Sequence, residues 1–410
     1  MTQGFQQHGD LPSASESWED PAAMLAILRE EDPVHWLAGV DAWLLTRHED
    51  VRACFADPRV TPDPRVYEHY SPPSPGFAAH WIAEIPFLSA RTRAGVSERS
   101  LVYMALLPRC VARMESVVRD VVEEFAAPLR DRRDVVDLVA TYSAPIPGAV
   151  IGRILGVPPA GADEAGFRKL ARKTVRGINP LSSEKKRRKT EQATRAMAEY
   201  VCELVAERRR APRDDLLSEL VRASEKGEPA DDRAIARAVV GLVSAGTDSV
   251  AVAGTRAIRS LLQNEGELCR LRDDSSLLPT AILELLRYDI GLVGMPRYVC
   301  EDLELRGKAL HKGQLLILSF TGAHRDPRVF SDPDRLDLRR QTKSSDLLVF
   351  GHGPHYCVGS NLARLELRVM LEAILKAMPE GARLLEEQVR WGAAGGLLGR
   401  IKTLPVDFGT

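Results

Sequence analysis

Residues 350–359 read Phe-Gly-His-Gly-Pro-His-Tyr-Cys-Val-Gly, and a long helical pattern over residues 361–378 follows directly. This stretch is a glycine-rich loop that brings the thiol of Cys357 to a helix N-terminus. The helix dipole and the unpaired N–H groups at such a terminus favour a thiolate. The glycines of the loop carry no Cβ, so a flat group can approach the backbone closely. On these residues alone, a structural turn with a buried cysteine remains the alternative.

The segment resembles the haem loop of cytochromes P450, F-x-x-G-x-x-x-C-x-G, at each fixed position: Phe350, Gly353, Cys357 and Gly359. A cysteine thiolate bound to haem iron donates electron density that favours O–O cleavage. The resemblance therefore implies haem b as the cofactor and Cys357 as its axial iron ligand.

A second motif lies upstream, on a predicted helix over residues 279–288. Glu284 and Arg287 stand at i and i+3, so they share one helix face and can pair. Such pairs are common on protein surfaces and carry little information alone. The resemblance implies the buried E-x-x-R pair of the family, which an arginine from a later loop completes. We identify that arginine as Arg335 and expect the three residues to hold the cysteine loop.

Residues 231–263 are predicted to form one long helix whose middle is almost entirely small or apolar, which is typical of a helix buried in a large protein. An acid and a hydroxyl, Asp248 and Ser249, interrupt this apolar run and need a reason to be there. A locally hydrogen-bonded polar residue is the plain explanation. The resemblance implies instead that Ala245 and Gly246 open a groove for O₂ and that Asp248 and Ser249 relay protons to it.

Ser249 stands where the family usually has threonine. Serine keeps the hydroxyl but loses the β-branch, which leaves χ1 freer. We expect looser proton delivery and more unproductive release of peroxide. Unchanged coupling of electron use to product in a Ser249→Ala variant would contradict this hypothesis.

The resemblance also implies cationic partners for the haem propionates. Arg297 lies in the strand after the E-x-x-R helix, and arginine binds a carboxylate through two parallel hydrogen bonds, although surface solvation is the alternative for a lone arginine. Gly95 and His324 replace a histidine and an asparagine that are usual in the family, so we expect fewer propionate contacts than usual. The predicted cofactor-binding residues are Cys357, Arg99, Arg297, His355, Phe350, Gly351 and Gly359.

Composition limits the classes of partner. The 410 residues are 44% hydrophobic and 28% charged, and the formal net charge is −1, so no global field attracts nucleic acid or an anionic membrane. The six cysteines form no CxxC pair, which is typical of a reduced cytosolic protein. The N-terminus has no signal-peptide pattern, and no stretch approaches the roughly 20 apolar residues that span a bilayer. We expect a cytoplasmic protein without a membrane anchor.

The predicted elements are mostly helices, with a few strand-like runs towards each end of the chain, as in a helix-dominated α+β protein. Helical patterns cover residues 22–31 and 49–56, and residues 99–130 with a break at Pro108. Residues 61–90 are rich in proline and are predicted to form a long loop. The resemblance covers about residues 20–408. It implies the cytochrome P450 fold, with a single catalytic domain over 20–410 after a flexible segment over 1–19.

The implied reaction is insertion of one oxygen atom from O₂ into a hydrophobic small molecule, such as a polyketide or terpenoid intermediate. The electrons are expected from a separate ferredoxin and its reductase, because 410 residues leave no room for a fused flavin domain. Arg109, Arg113 and Arg364 could steer an acidic partner, although each is also explained by plain solvation. The expected substrate pocket is lined by Trp81, Phe87, Ile178, Val243, Leu292, Val293, Met295, Leu397 and Leu398.

Two alternatives stay open. One is a haem-thiolate enzyme that catalyses oxidative coupling, desaturation or peroxide-driven oxidation, which dependence on NAD(P)H or on peroxide would distinguish. The other is a non-catalytic helper that keeps the fold but not the chemistry. The presence of Cys357, Asp248 and Ser249 argues against the helper.

Overall fold

The computed structural model describes residues 22–70, 98–157, 162–174, 184–226, 231–392 and 399–409. Helices dominate these ranges. They are α1 (Ala22–Glu31), α2 (His48–Ala56), α3 (Glu98–Ala105), α4 (Pro108–Arg113), α5 (Glu115–Ala126), α6 (Ile146–Ile154), α7 (Ala162–Thr174), α8 (Glu184–Arg210), α9 (Leu216–Lys226), α10 (Asp232–Gln263), α11 (Glu265–Asp273), α12 (Leu278–Tyr288), α13 (Phe320–His324) and α14 (Ser360–Ala377).

Short strands make up the minor β component. They are β1 (Val34–Leu37), β2 (Ala42–Leu45), β3 (Val60–Thr61), β4 (Val135–Asp137), β5 (Gly294–Val299), β6 (Leu303–Leu305), β7 (Lys308–Leu310), β8 (Leu315–Ser319), β9 (Arg383–Leu384), β10 (Arg390–Trp391), β11 (Ile401–Thr403) and β12 (Pro405–Asp407). The largest sheet has the order β1-β2-β8-β5-β3, and a three-stranded sheet has the order β4-β12-β9.

The chain divides into two compact units, each of which we consider by itself. The first contains the five-stranded sheet with α1, α2 and α11–α13. The second contains α3–α9, most of α10, α14 and the three-stranded sheet. The chain passes from one unit to the other after Pro72, Ile258, Tyr356, Val389 and Lys402.

In the first unit, β8 lies at the centre of the sheet, parallel to β2 and antiparallel to β5. All five of its residues are buried, as expected of a central strand. The hydroxyl of Ser319 then accepts a hydrogen bond from the Gly322 N–H at 3.0 Å, which caps the short helix α13. Phe55, Phe320 and Leu348 are buried in one hydrophobic cluster, so this core reaches the chain that leads into the cysteine loop.

In the second unit, α10 approaches α14 closely at Gly254. A Cβ at this position would lie 2.9 Å from the Cε atom of Met370. The backbone carbonyl of Met370 accepts a hydrogen bond from the buried Tyr142 hydroxyl at 2.6 Å. The hydroxyls of Ser143 and Thr255 are 2.5 Å apart, which ties the chain before α6 to α10. The helix that follows the cysteine is therefore firmly embedded in this unit.

The predicted mainly helical class is confirmed, and the long apolar helix is observed as α10. The break at Pro108 separates α3 from α4, as expected. The predicted loop over residues 61–90 contains a short 3₁₀ turn at Pro64–Val66, and its part from residue 71 onwards lies outside the described residues. The N-terminal segment that was predicted to be flexible lies outside them as well.

Candidate active site

The loop before Cys357 is built from two 3₁₀ turns, Leu348–Phe350 and Gly353–His355. Gly351 and Gly353 have φ values of +74° and +71°, in the left-handed region that favours glycine. A Cβ on Gly353 would lie 3.4 Å from the Cα atom of Ala56, at the end of α2. The turn geometry therefore requires these glycines before any cofactor is considered.

Cys357 lies just before α14, an 18-residue helix. Its carbonyl accepts a hydrogen bond from the N–H of Ser360 at 3.4 Å, so the thiol-bearing residue lies at the helix N-terminus. The residue is half-buried, and its Sγ atom would be 3.9 Å from a Cβ placed on Gly359, which is ordinary van der Waals contact. The six cysteines, all of them described, form no disulfide. The position suits a thiolate that binds a metal.

Phe350 and His355 flank the same loop. Phe350 is buried, and its ring centroid lies 6.3 Å from that of Tyr356 in a tilted arrangement. His355 is half-buried at the end of the second 3₁₀ turn. Both residues therefore lie in the turns that precede Cys357, and their part in binding the cofactor stays a prediction.

Helix α10 has a local open stripe at the predicted oxygen-binding positions. Ala245 and Ser249, one turn apart, are exposed, whereas Asp248 beside them is only 4% exposed. The Ser249 hydroxyl donates a hydrogen bond to the Ala245 carbonyl at 2.7 Å. This bond favours one rotamer of the Ser249 side chain, and the expected looser proton delivery stays a prediction. The hydroxyl oxygen can still accept a further hydrogen bond.

The neighbouring small residues have different roles. Gly246 packs closely against α6, because a Cβ there would lie 2.8 Å from Cδ1 of Ile151, at the end of that side chain. Val243 is completely buried, so it does not line the open stripe, and Ala245 takes that place. The expectation that no stretch approaches the apolar length of a membrane span is wrong for α10, the one described helix that is long and apolar enough. However, 72% of its most apolar window is buried, as in a core helix.

The E-x-x-R pair is completely buried and fully bonded. Arg287 donates from Nε and Nη2 to the two carboxylate oxygens of Glu284 at 2.7 and 2.8 Å. Its Nη1 donates to the carbonyls of Pro333 and His324 at 2.7 and 3.0 Å. This two-pronged geometry is the strong form of an arginine–carboxylate pair.

The predicted third member, Arg335, is wrong. Arg335 is exposed, and its carbonyl rather than its side chain joins the network, by accepting a hydrogen bond from Arg287 at 3.2 Å. The guanidinium that reaches Glu284 belongs to Arg340, whose Nε lies 3.1 Å from Oε1. Arg340 also donates to the carbonyls of Ser331 and Asp332. The chain between the two arginines is irregular, so spacing alone did not indicate which of them points inward.

Arg297, in β5, is a buried cation without a carboxylate partner among the described residues. Its guanidinium carbon lies 4.8 Å from the centroid of the Phe55 ring, and Nη1 donates to the Pro296 carbonyl at 2.8 Å. Burial lowers the pKa of Arg297 to about 10, so it stays charged at neutral pH. An uncompensated buried charge is costly. This site therefore fits an anionic group such as a haem propionate.

His324 also belongs to this region, where the sequence indicates only a departure from the asparagine that is usual in the family. It is completely buried, and its Nε2 lies 2.9 Å from the backbone nitrogen of Leu348, at the start of the cysteine loop. The sequence signal that could have indicated this role is a histidine in a short, mostly apolar segment directly after a buried strand.

Only some of the remaining predicted residues lie within the described part of the chain. Arg99 lies in α3, but its side chain is outside the described part of the chain. Leu292 and Met295 are partly buried and pack against the first unit's hydrophobic cluster, and Val293 is buried. The other predicted pocket residues lie outside the described ranges: Trp81, Phe87, Ile178, Leu397 and Leu398.

Known proteins match this architecture over most of its length. A family model described as Cytochrome P450 matches residues 174–378. Cytochrome P450 107B1 of Saccharopolyspora erythraea is 33% identical to this chain, over 87% of each protein. Nocardicin C N-oxygenase of Nocardia uniformis subsp. tsuyamanensis is 34% identical, over 95% of this chain and 97% of its own.

The likeness extends to solved structures. The bacillaene polyketide synthase cytochrome P450 PksS of Bacillus subtilis 168 gives a TM-score of 0.84 at 28% identity, covering 95% of this chain and 97% of that chain. With a cysteine at the head of α14, a buried E-x-x-R pair and these relatives, the chain belongs to the cytochrome P450 family and is a haem b monooxygenase.

Proposed function

We propose that Cys357 is the thiolate ligand of the haem iron and that the enzyme inserts one oxygen atom from O₂ into a hydrophobic small molecule. The observation that carries this proposal is the half-buried thiol at the N-terminus of α14, behind a loop whose glycines adopt positive φ. Bound haem supplies the iron at which O₂ is activated.

The cationic residues of the site would hold the propionates. Arg297 is the best supported, because it is buried and charged with no carboxylate near it among the described residues. His355 and Arg99 complete the proposed set. Neutralisation of Arg297 by a propionate removes the cost of its burial, so binding of the group also stabilises the fold.

On α10, Ser249 and Asp248 are proposed to be the residues that would relay the protons that the reaction with O₂ consumes. The Ser249 hydroxyl lies on the open stripe and donates its hydrogen to the Ala245 carbonyl. Its oxygen can therefore accept a hydrogen bond from a water molecule. Asp248 is buried next to it, and a change of rotamer would let its carboxylate take up a proton from solvent and pass it to that water. Exposed Ala245 leaves space beside the hydroxyl.

We propose a polyketide or related secondary metabolite as the substrate class. The PksS relative is named for a polyketide synthase, and the apolar, partly open side chains of Leu292 and Met295 suit such a molecule. A role in cytoplasmic biosynthesis agrees with the reduced cysteines.

The electrons are proposed to come from an acidic ferredoxin and its reductase. A cleft of about 390 Å³ between α4 and α9 carries Arg109, Arg113 and Arg222 around an apolar lining that includes Leu220. Basic side chains around an apolar patch match a partner with an acidic surface. Arg364, on α14, is half-buried and contributes less to this surface.

The test is the spectrum of the reduced, carbon monoxide-bound enzyme. Wild type should show the red-shifted Soret band of thiolate ligation, and Cys357→Ala should lose it completely. Cys269→Ala, an exposed cysteine on α11, is the matched control and should keep the band. The same protein is then titrated with polyketides and terpenoids for a spectral shift. Finally, its rate of substrate oxidation with ferredoxin, reductase and NAD(P)H is compared with its rate with peroxide alone.

A thiolate band that survives in Cys357→Ala would contradict the assignment of the ligand. Turnover with peroxide alone would favour the peroxide-driven alternative. A wild-type protein that binds no haem would favour the non-catalytic helper.

A further inference from the structure

His324 joins two parts of the first unit that bear on the thiolate. On one side, its backbone carbonyl accepts a hydrogen bond from Nη1 of Arg287 at 3.0 Å. On the other side, its ring Nε2 accepts a hydrogen bond from the N–H of Leu348 at 2.9 Å. The E-x-x-R pair is therefore connected to the start of the cysteine loop through a single residue.

The direction of the ring hydrogen bond fixes the state of the imidazole. A backbone N–H can only donate, so Nε2 must be unprotonated and the ring proton must lie on Nδ1. Protonation of Nε2 would place two N–H groups against each other and break the bond. His324 can hold Leu348 only while it is neutral.

The surroundings keep the ring neutral and fixed in place. Phe320 is stacked near it at a centroid distance of 6.2 Å, and Phe330 meets it edge-on at 6.3 Å. Complete burial holds the pKa of His324 well below its usual range, and the nearby His48, Arg287 and Arg325 lower it further.

A second histidine acts on the same stretch of chain. Nε2 of His48, in α2, lies 2.9 Å from the carbonyl oxygen of Asp346 and donates to it. His48 and His324 thus hold the residues on either side of Leu347, one as donor and the other as acceptor. Leu348 itself is completely buried, so its N–H has no access to water if the histidine bond is lost.

We propose that His324 is a positioning residue for the haem thiolate, which fixes the start of the cysteine loop through the hydrogen bond that its Nε2 accepts. This inference rests on the proposed function, in which Cys357 binds the iron. Loss of the bond would release Leu348 and the 3₁₀ turn that it begins, and the loop would then hold the sulfur less firmly.

The test uses the purified holoenzyme and measures the ratio of thiolate-type to non-thiolate Soret bands of the reduced carbon monoxide complex. His324→Phe keeps a ring between Phe320 and Phe330 but removes the acceptor. His324→Gln keeps an acceptor oxygen near the Nε2 position but cannot be protonated. Phe330→Leu is the matched control, because it disturbs the same packing and leaves the acceptor in place.

We expect His324→Phe to lower the band ratio about tenfold in mild denaturant, as an unsatisfied buried N–H should. His324→Gln and Phe330→Leu should keep the wild-type ratio. On acidification, wild type should convert to the non-thiolate form at a higher pH than His324→Gln, because only the histidine can be protonated.

Equal ratios in wild type and His324→Phe would overturn the proposal. Equal losses in all three variants would also overturn it, because they would assign the effect to ring packing. If His324→Phe does not fold, the comparison of acid midpoints decides, and identical midpoints in wild type and His324→Gln count against the proposal. A wild-type protein without any thiolate band contradicts the proposed function instead.

Discussion

The carboxylate of Glu284 is completely buried, so each lone pair left without a partner would cost free energy. Its oxygens accept hydrogen bonds from the side chains of Arg287 and Arg340 and from the N–H of Asp337. Arg340 also donates to the Ser331 carbonyl, so this one side chain connects Glu284 to the irregular segment around Ser331. The network ties α12 to the irregular chain that precedes the cysteine loop.

We expect Arg340→Ala to lower the free energy of unfolding by about 2 kcal/mol, because a charge-assisted bond to a buried carboxylate is lost. Arg335→Ala should change it by less than about 0.5 kcal/mol, because that side chain is exposed. Chemical denaturation of the two variants checks this. A larger loss in Arg335→Ala than in Arg340→Ala would contradict the contacts described above.

At this scale the sequence predicted some residues and missed others for a physical reason. Glu284 and Arg287 follow from a short motif on a helix, where spacing determines which side chains share a face. The position of Cys357 follows from the fixed spacing of the loop motif. Arg340 and His324 act from irregular chain and a short helix, where no periodicity shows which way a side chain points. Their partners come from distant parts of the sequence.

Helix α14 carries an acid that no motif explains. Glu366 is 1% exposed, and its Oε2 has no hydrogen-bond partner among the described residues. Burial raises the pKa of Glu366 well above its usual range. The side chain is therefore neutral in the folded protein at pH values where it would be ionised in the unfolded chain.

The raised pKa gives a definite dependence of stability on pH. The folded state binds a proton that the unfolded chain releases above a pKa of about 4.3, so this group destabilises the fold progressively as pH rises. Relative to Glu366→Gln, wild type should lose about 1.4 kcal/mol per pH unit until the folded pKa is reached. Thermal unfolding of holoenzyme at pH 5 and pH 8 measures the difference.

Glu366→Gln should therefore raise the Tm more at pH 8 than at pH 5. Glu265→Gln, exposed on α11, controls for removal of a charge. An identical Tm difference at both pH values would show that Glu366 is ionised in the folded protein.

The elements themselves were largely predictable. The apolar composition of α10 and β8 predicts that both are buried, because an element that is buried on all sides has no polar face. The 3₁₀ turns of the cysteine loop were not predicted, since they depend on the positive φ of Gly351 and Gly353. The close packing of Gly246 on Ile151 also depends on tertiary contacts.

On the scale of the whole molecule, charge is nearly balanced at −1, so long-range attraction of a partner cannot come from net charge. Local clusters must supply it. Arg109 forms no ion pair with any described residue, whereas Arg113 is paired with Glu219 in the same cleft. Arg109 should therefore contribute more than Arg113 to the attraction of an acidic electron donor.

We expect Arg109→Ala to slow reduction by an acidic ferredoxin several-fold at low salt, and Arg113→Ala to slow it less. Both effects should fade towards high ionic strength, where exposed charges are screened. Lys189→Ala, an exposed cation on α8, is the control. Stopped-flow reduction rates across a salt series measure this, and equal slowing by Lys189→Ala would contradict a specific docking role for the cleft.

At this scale the family resemblance predicted the fold as a whole, because four fixed positions around Cys357 occur with the E-x-x-R pair in the expected order. Which surface arginine is left without an ion pair could not be predicted in this way. That depends on Glu219 in α9, which approaches Arg113 only after folding.

The lone buried charge of Arg297 bears on how the protein is maintained in a living cell. If a propionate neutralises Arg297 as proposed, a chain that has not yet received porphyrin keeps this cation uncompensated and is correspondingly easier to open. Newly made copies that outnumber the available porphyrin should be degraded first by cellular proteases. The abundance of the enzyme is thus expected to follow the supply of iron and porphyrin as well as the rate of translation.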